Sequence, residues 1–218
     1  MTDFDVVIIE DNESHAFLLG RTLKQVYPDV QIFDTAFAFF EQYQAPRPTV
    51  VVSDYLLPGM SGRDLLRKVK QAKLPIEILI ASSDENLQSA IDFMRDGALH
   101  YFVKPIDTSR LLDLLPVAIH KAQEAAVEYV RLKDMETRIG TLSRAQAESV
   151  WHVLSLETQA QAAQAQGIAL PTLKSHWQSA CERLALTGIE ERFLCYQMLV
   201  ARFGKHPGIA ASMETEHV

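Results

Sequence analysis

The sequence predicts two architectures in one chain: an α/β domain on a parallel sheet and, beyond a long helical segment, a small all-α domain. Three observations carry this. Up to about Asp107, five short β-rich runs alternate with helical patterns, which implies a parallel sheet with helices on both faces. From Thr108 onward no strand signal remains, and the pattern is helical to about Phe203. The length of 218 residues suits two ordinary domains, and 48% hydrophobic with 22% charged residues describes a globular chain able to bury a core.

The elements follow in order. VVIIE is the first strand, four apolar residues suited to burial on both faces, with a helix after it to Tyr27. VQIF precedes a helix through Gln44, TVVVSD a helix from near Arg63 to Gln71, and IEILIAS a helix to Arg95; LHYFV is the last strand. In the segment Thr108 to Ile139, Leu111, Leu115, Ala118, Ala122, Ala125, Tyr129, Leu132, Glu136 and Ile139 recur at spacings of four and three, a stripe along one helix. At 1.5 Å per residue it spans roughly 45 to 50 Å, too long to cover the sheet alone. Its first half is expected to pack on the sheet, its second half to form a helical linker or weak coiled coil over 120–140. Pro116 is expected to kink it by crowding the Leu112 carbonyl. The all-α domain is expected over 141–204. Ser143 is a plausible N-cap, and Gly167 separates a short helix from a longer one whose apolar face is Leu173, Trp177, Ala180 and Leu184. A loose tail is expected over 205–218.

Bulk properties exclude some functions. A net charge of -7 argues against a sequence-indifferent nucleic-acid coat, though a local basic face is compatible with it. Cys181 and Cys195 sit in apolar helical patterns without metal-ligand neighbours and read as reduced core residues. The acidic N-terminus and the lack of an apolar run of membrane-spanning length lead to the expectation of a cytoplasmic protein with no membrane partner.

The chemistry gathers at strand ends, where ligands sit in parallel sheets. The first strand stops at Glu10 and Asp11, and the third at Asp54. Like charges about 4 Å apart repel by roughly 4 kcal/mol at an effective dielectric of 20, so three acids at one edge call for a cation. Hard oxygen ligands select Mg2+. Pro58, Gly59 and Gly62 let the loop after Asp54 turn sharply and direct the Leu56 carbonyl inward. The fourth strand offers the Ser82 hydroxyl, and the fifth offers Lys104, followed by Pro105 with a bond that has access to the cis form.

On these residues the chain resembles a two-component response regulator, over roughly Asp3 to Ile119. The resemblance implies a flavodoxin-like (βα)5 receiver domain at residues 1–119. Asp54 would be the phosphate acceptor, and Asp11, Asp54 and the Leu56 carbonyl would ligate Mg2+, with Glu10 acting mainly through water. Ser82 and Lys104 would contact the phosphoryl group, and Tyr101 would be the aromatic that follows the movement of Ser82. Such a protein is not an enzyme acting on an external substrate; it promotes its own phosphorylation and, with apolar Leu56 two residues past the acceptor, slow dephosphorylation. A haloacid-dehalogenase-type phosphatase also uses an aspartate nucleophile, but needs a second aspartate where Leu56 stands.

Residues Leu142 to about Val200 resemble the wingless LuxR-type helix-turn-helix of NarL/FixJ response regulators. Leu142 and Ser143 match its opening, TLKSH (Thr172 to His176) the start of its recognition helix, and GIEERFLCYQML its last helix, which often dimerises. Leu156, Ala169, Trp177 and Glu182 depart from it. The implied DNA-facing residues are Thr172, Lys174, Ser175, Gln178 and Ser179, with Arg183 for phosphate and His176 structural. The implied partners are a sensor histidine kinase, double-stranded DNA, and a second copy of the chain when phosphorylated. From Thr141 to Val218 six Lys/Arg face seven Asp/Glu, so the alternative is a degenerate output domain that binds a protein or RNA partner.

Overall fold

The structure is a computed structural model and describes residues 3–156 and 158–204. The expected tail over 205–218 lies outside the described residues. The apolar runs form strands β1 (Asp5–Ile9), β2 (Gln31–Phe33), β3 (Thr49–Asp54), β4 (Ile76–Ser82) and β5 (His100–Val103). All pair in parallel, in the order β2-β1-β3-β4-β5. Between them lie α1 (Glu13–Leu23), α2 (Ala36–Gln42), α3 (Gly62–Gln71) and α4 (Leu87–Arg95). Helix α1 stops at Leu23, short of the expected Tyr27: the intervening residues form turns in which the Val26 and Tyr27 amides both donate to the Leu23 carbonyl. Helix α2 likewise ends at Gln42, because Tyr43 turns to extended backbone.

The two-residue period of the strands divides the core. Val7, Ile9, Val51, Ile78 and Ile80 pack with Phe39 of α2, Leu65, Leu66 and Val69 of α3 and Phe93 of α4. Val6, Ile8, Val50, Val52, Leu79 and Phe102 pack on the other face with Leu23 of α1 and with Leu111, Leu115, Ala118 and Ala122. Burying each large side chain fully contributes roughly 1.5–3 kcal/mol, so this double layer stabilises the sheet and sets its register.

Those last four residues belong to α5 (Thr108–Gly140), a 33-residue helix carrying Pro116 within it. The chain divides into two units, Met1–Val130 and Arg131–Val218. The later part of α5 has a buried face shifted from the expected stripe: Met135 is buried and Glu136 is exposed. Met135 and Ile139 join a core with Ala147, Val150, Ala180, Leu184, Leu194 and Leu199. The stretch expected to be a linker therefore ends as packed structure of the second unit. That unit contains α6 (Arg144–Ser155), α7 (Gln159–Gln166), α8 (Leu170–Leu184) and α9 (Ile189–Phe203), with no strand among the described residues. Ser143 caps α6 and Thr158 caps α7, each through a reciprocal capping box with a glutamine three residues on. Gly167 ends α7 in the left-handed conformation. Ala169 offers α8 no side-chain cap.

Candidate functional site

Register brings the expected residues to one edge. β1 and β3 are neighbours with Ile9 opposite Ser53, so Glu10 and Asp11 emerge beside Asp54. Asp54 stands opposite Ala81 and Ser82 opposite Val103, which places Ser82 and Lys104 at the same carboxyl edge. β1 also marks the switch point of the strand order. Oxygens of Glu10, Asp11 and Asp54 lie within 4.8 Å of one another, a group that can hold a metal ion.

The Lys104 ammonium lies 2.6 Å from Glu10 Oε2 and 2.9 Å from Asp54 Oδ2. Burial pulls its pKa down, but the hydrogen bonds and charges of Glu10 and Asp54 outweigh burial and leave it raised. Glu10 is buried; His15 Nδ1 stands 3.6 Å from its second oxygen. Asp11 is exposed and shares neither of the lysine's contacts. The three acids and Lys104 sum to -2, so the site retains an attraction for a cation. The donor set, all hard oxygen, fits Mg2+.

The loop after β3 is held close. The Leu56 N–H donates to Asp54 Oδ1 at 3.4 Å, while the Leu56 side chain is 69% exposed. The Gly62 N–H donates to the Tyr55 carbonyl. A Cβ at Gly62 would sit 2.7 Å from the Asp54 carbonyl oxygen, so glycine permits α3 to start against the end of β3. Ser61 and Asp64 close that start as a capping box.

On the other side, Ser82 Oγ accepts from the Asp84 N–H at 3.0 Å, and the Tyr101 hydroxyl donates to the Asp84 carbonyl at 2.6 Å. Half-buried, Tyr101 stacks on Phe93 at 5.7 Å. Burial raises its pKa, against a hydrogen bond to Ser82. The Lys104–Pro105 bond is cis. Asp84 was not singled out in the sequence, yet it joins Ser82 and Tyr101, and its carboxylate takes the Ser89 hydroxyl and the Asn86 N–H. The signal was SSDEN directly after a strand, an Asx-turn composition. A cavity of about 280 Å3 lies at the opposite edge, beside Asp5, Gln31, Tyr43, Arg47 and Thr49, and shares no residue with the acids.

In the second unit, Thr172, Lys174, Ser175 and Gln178 are exposed on α8. Ser179, expected beside them, is half-buried and accepts from Gln146 Nε2 of α6 at 3.4 Å, because one further residue rotates it toward the core side that Ala180 occupies. Arg183 is exposed but donates to the Thr141 carbonyl.

Residues 6–116 match the response regulator receiver domain family. The transcriptional regulatory protein FixJ of Bradyrhizobium diazoefficiens is 30% identical over 138 residues, 63% of this chain and 67% of FixJ. The DNA-binding transcriptional regulator NtrC of Escherichia coli K12 is 29% identical over 119 residues, 55% of this chain, and the chain spans only 25% of NtrC. The solved response regulator StyR superposes with a TM-score of 0.59 at 22% identity, covering 93% of this chain and all of StyR.

Proposed function

The chain belongs to the response regulator receiver domain family, and from that premise we propose that it is a phosphorylation-dependent, DNA-binding transcriptional regulator of a two-component system. The observation that carries the proposal is the convergence of Glu10, Asp11, Asp54, Ser82 and Lys104 at one sheet edge. Asp54 is the acceptor: a carboxylate oxygen attacks the phosphorus of a kinase phosphohistidine, the P–N bond breaks, and the departing imidazole leaves as the neutral ring after taking up a proton. Lys104, now shared between Glu10 and Asp54, stays within reach of the phosphoryl oxygens and offsets their charge. Mg2+ would be held by Asp11, Asp54 and the Leu56 carbonyl, with Glu10 acting mainly through water, and would supply charge neutralisation. Ser82 exchanges its bond from the Asp84 N–H for one to the phosphoryl group, and Tyr101, tied to Asp84, follows. The Leu56 side chain offers no polar atom to align a hydrolytic water, which supports slow dephosphorylation.

The output region is a LuxR-type helix-turn-helix domain. The supporting arrangement is capped α7, the left-handed Gly167, and α8 with Thr172, Lys174, Ser175 and Gln178 outward. Phosphorylation promotes a homodimer that reads a two-fold DNA site in the cytoplasm, downstream of a sensor histidine kinase. The deficit of basic residues past Thr141 favours, as a second reading, an output domain that takes a protein or RNA partner. Intact mass after acetyl phosphate and Mg2+ tests the acceptor: wild type gains one phosphate and Asp54→Asn gains none. Selection from a random DNA pool with both forms tests the output; no enrichment by the phosphorylated protein rejects DNA binding.

A further inference from the structure

A buried polar chain between α6, α7 and α8 leaves His176 one role in it, that of hydrogen donor to Ser149. Ser149 on α6 is fully buried. Its Oγ lies 2.9 Å from the Ala145 carbonyl, 2.7 Å from Gln166 Oε1 at the end of α7, and 3.0 Å from His176 Nδ1 on α8. The other end of the Gln166 amide is 3.0 Å from the Ala145 carbonyl oxygen, which only accepts, so that end is the NH2 group and the end facing Ser149 is the oxygen. Two oxygens 2.7 Å apart need a hydrogen between them, and only Ser149 has one to give. The Ala145 carbonyl is a second acceptor for that one hydrogen, so the hydroxyl points to these two oxygens and presents a lone pair to His176. Nδ1 must carry the hydrogen. The other neutral tautomer would set two lone pairs against each other in a buried place.

The tether matters because, among the described residues, few other contacts fix the front of α8. Ala169 gives no cap. The apolar contact there is a small cluster of Ala162, Ala163 and Leu173, with Val153, Leu156 and Ile168 at its edge. Lys174 and Ser175, exposed, immediately precede His176. We infer that His176, held as the Nδ1–H tautomer by Ser149, is a positioning residue that pins α8 to α6 and α7 and so sets how Lys174, Ser175 and Gln178 are presented. Its consequence for DNA rests on the function proposed above; the tautomer and the tether do not.

Long-range 1H–15N NMR of the full chain near pH 8, where an ordinary imidazole is neutral, reads the tautomer. The expected spectrum shows Nδ1 protonated and Nε2 bare for His176; the reverse overturns the inference. Two variants then separate the tether from general packing. His176→Asn places an amide N–H near the position of Nδ1, whereas His176→Gln reaches the position of Nε2. Leaving a buried acceptor unpaired opens α8 about tenfold or more, so His176→Gln should lose amide-exchange protection in α8 by that factor and lose affinity for a wild-type-selected DNA by a similar one. His176→Asn should retain both within about twofold. Equal losses in the two variants, with unchanged circular dichroism, overturn the positioning role. If wild type selects no DNA while the NMR and exchange results hold, the positioning stands and the DNA-binding reading falls.

Discussion

Replacing Asp11 by asparagine should have opposite effects with and without Mg2+. Asp11 is exposed and lies within 4.8 Å of carboxylate oxygens of Glu10 and Asp54, while Lys104 contacts those two acids. Seen from Asp11, two negative charges and one positive leave a net of about one negative charge. At 4.8 Å one such pair repels by about 0.9 kcal/mol in water-like surroundings and about 3.5 kcal/mol at an effective dielectric of 20. Exposure favours the lower figure, so Asp11→Asn should stabilise the metal-free protein by about 1 kcal/mol, raising the midpoint of the first unit by about 3–5 °C. Mg2+ reverses the order. At tenfold over Kd, binding adds about 1.4 kcal/mol to wild type, and the variant, lacking one anionic ligand, should gain little. Thermal unfolding by circular dichroism, titrated with Mg2+ at constant ionic strength, should show the two curves crossing. A variant that melts lower than wild type without metal would refute the electrostatic account. One that keeps the whole Mg2+ shift would remove Asp11 from the metal site.

Two further outcomes follow from titratable side chains. Burial, aided by Arg110, holds the His100 imidazole below its ordinary 6.5; the unfolded chain therefore takes up that proton first, and stability should fall as pH drops through about 6.5 and level off below the folded value. His100→Gln should flatten this part of a denaturation-midpoint-against-pH profile, and an unchanged slope would assign it to other groups. Burial, with Cys181 nearby, pushes the Cys195 thiol up to about 12, so iodoacetamide at pH 7.5 should leave Cys195 unmodified in native protein and alkylate it in urea. Native labelling of Cys195 at the rate of a free thiol would mean that the core around Leu194 and Leu199 opens.

The sequence by itself determined the sheet and the acidic edge. Four apolar residues before Glu10 and five residues before Asp54 can only be buried strands, and a parallel sheet sends every strand end to the same side, so acids, hydroxyl and lysine had to meet there. Caps at Ser143 and Gly167 were legible for the same local reason. Only the tertiary structure decided which acids the lysine holds: Lys104 binds Glu10, 94 residues away, and leaves Asp11 outward. It decided that Met135 rather than Glu136 faces inward, since the later part of α5 answers to the second unit's core rather than to the sheet. Ser179 turned against Gln146, and the proton on His176 followed from Ala145, Gln166 and Ser149, on two other helices. Strand ends and caps arise from residues a few positions apart, whereas pairing, rotation and proton placement depend on groups distant in sequence whose approach is set only when the core packs.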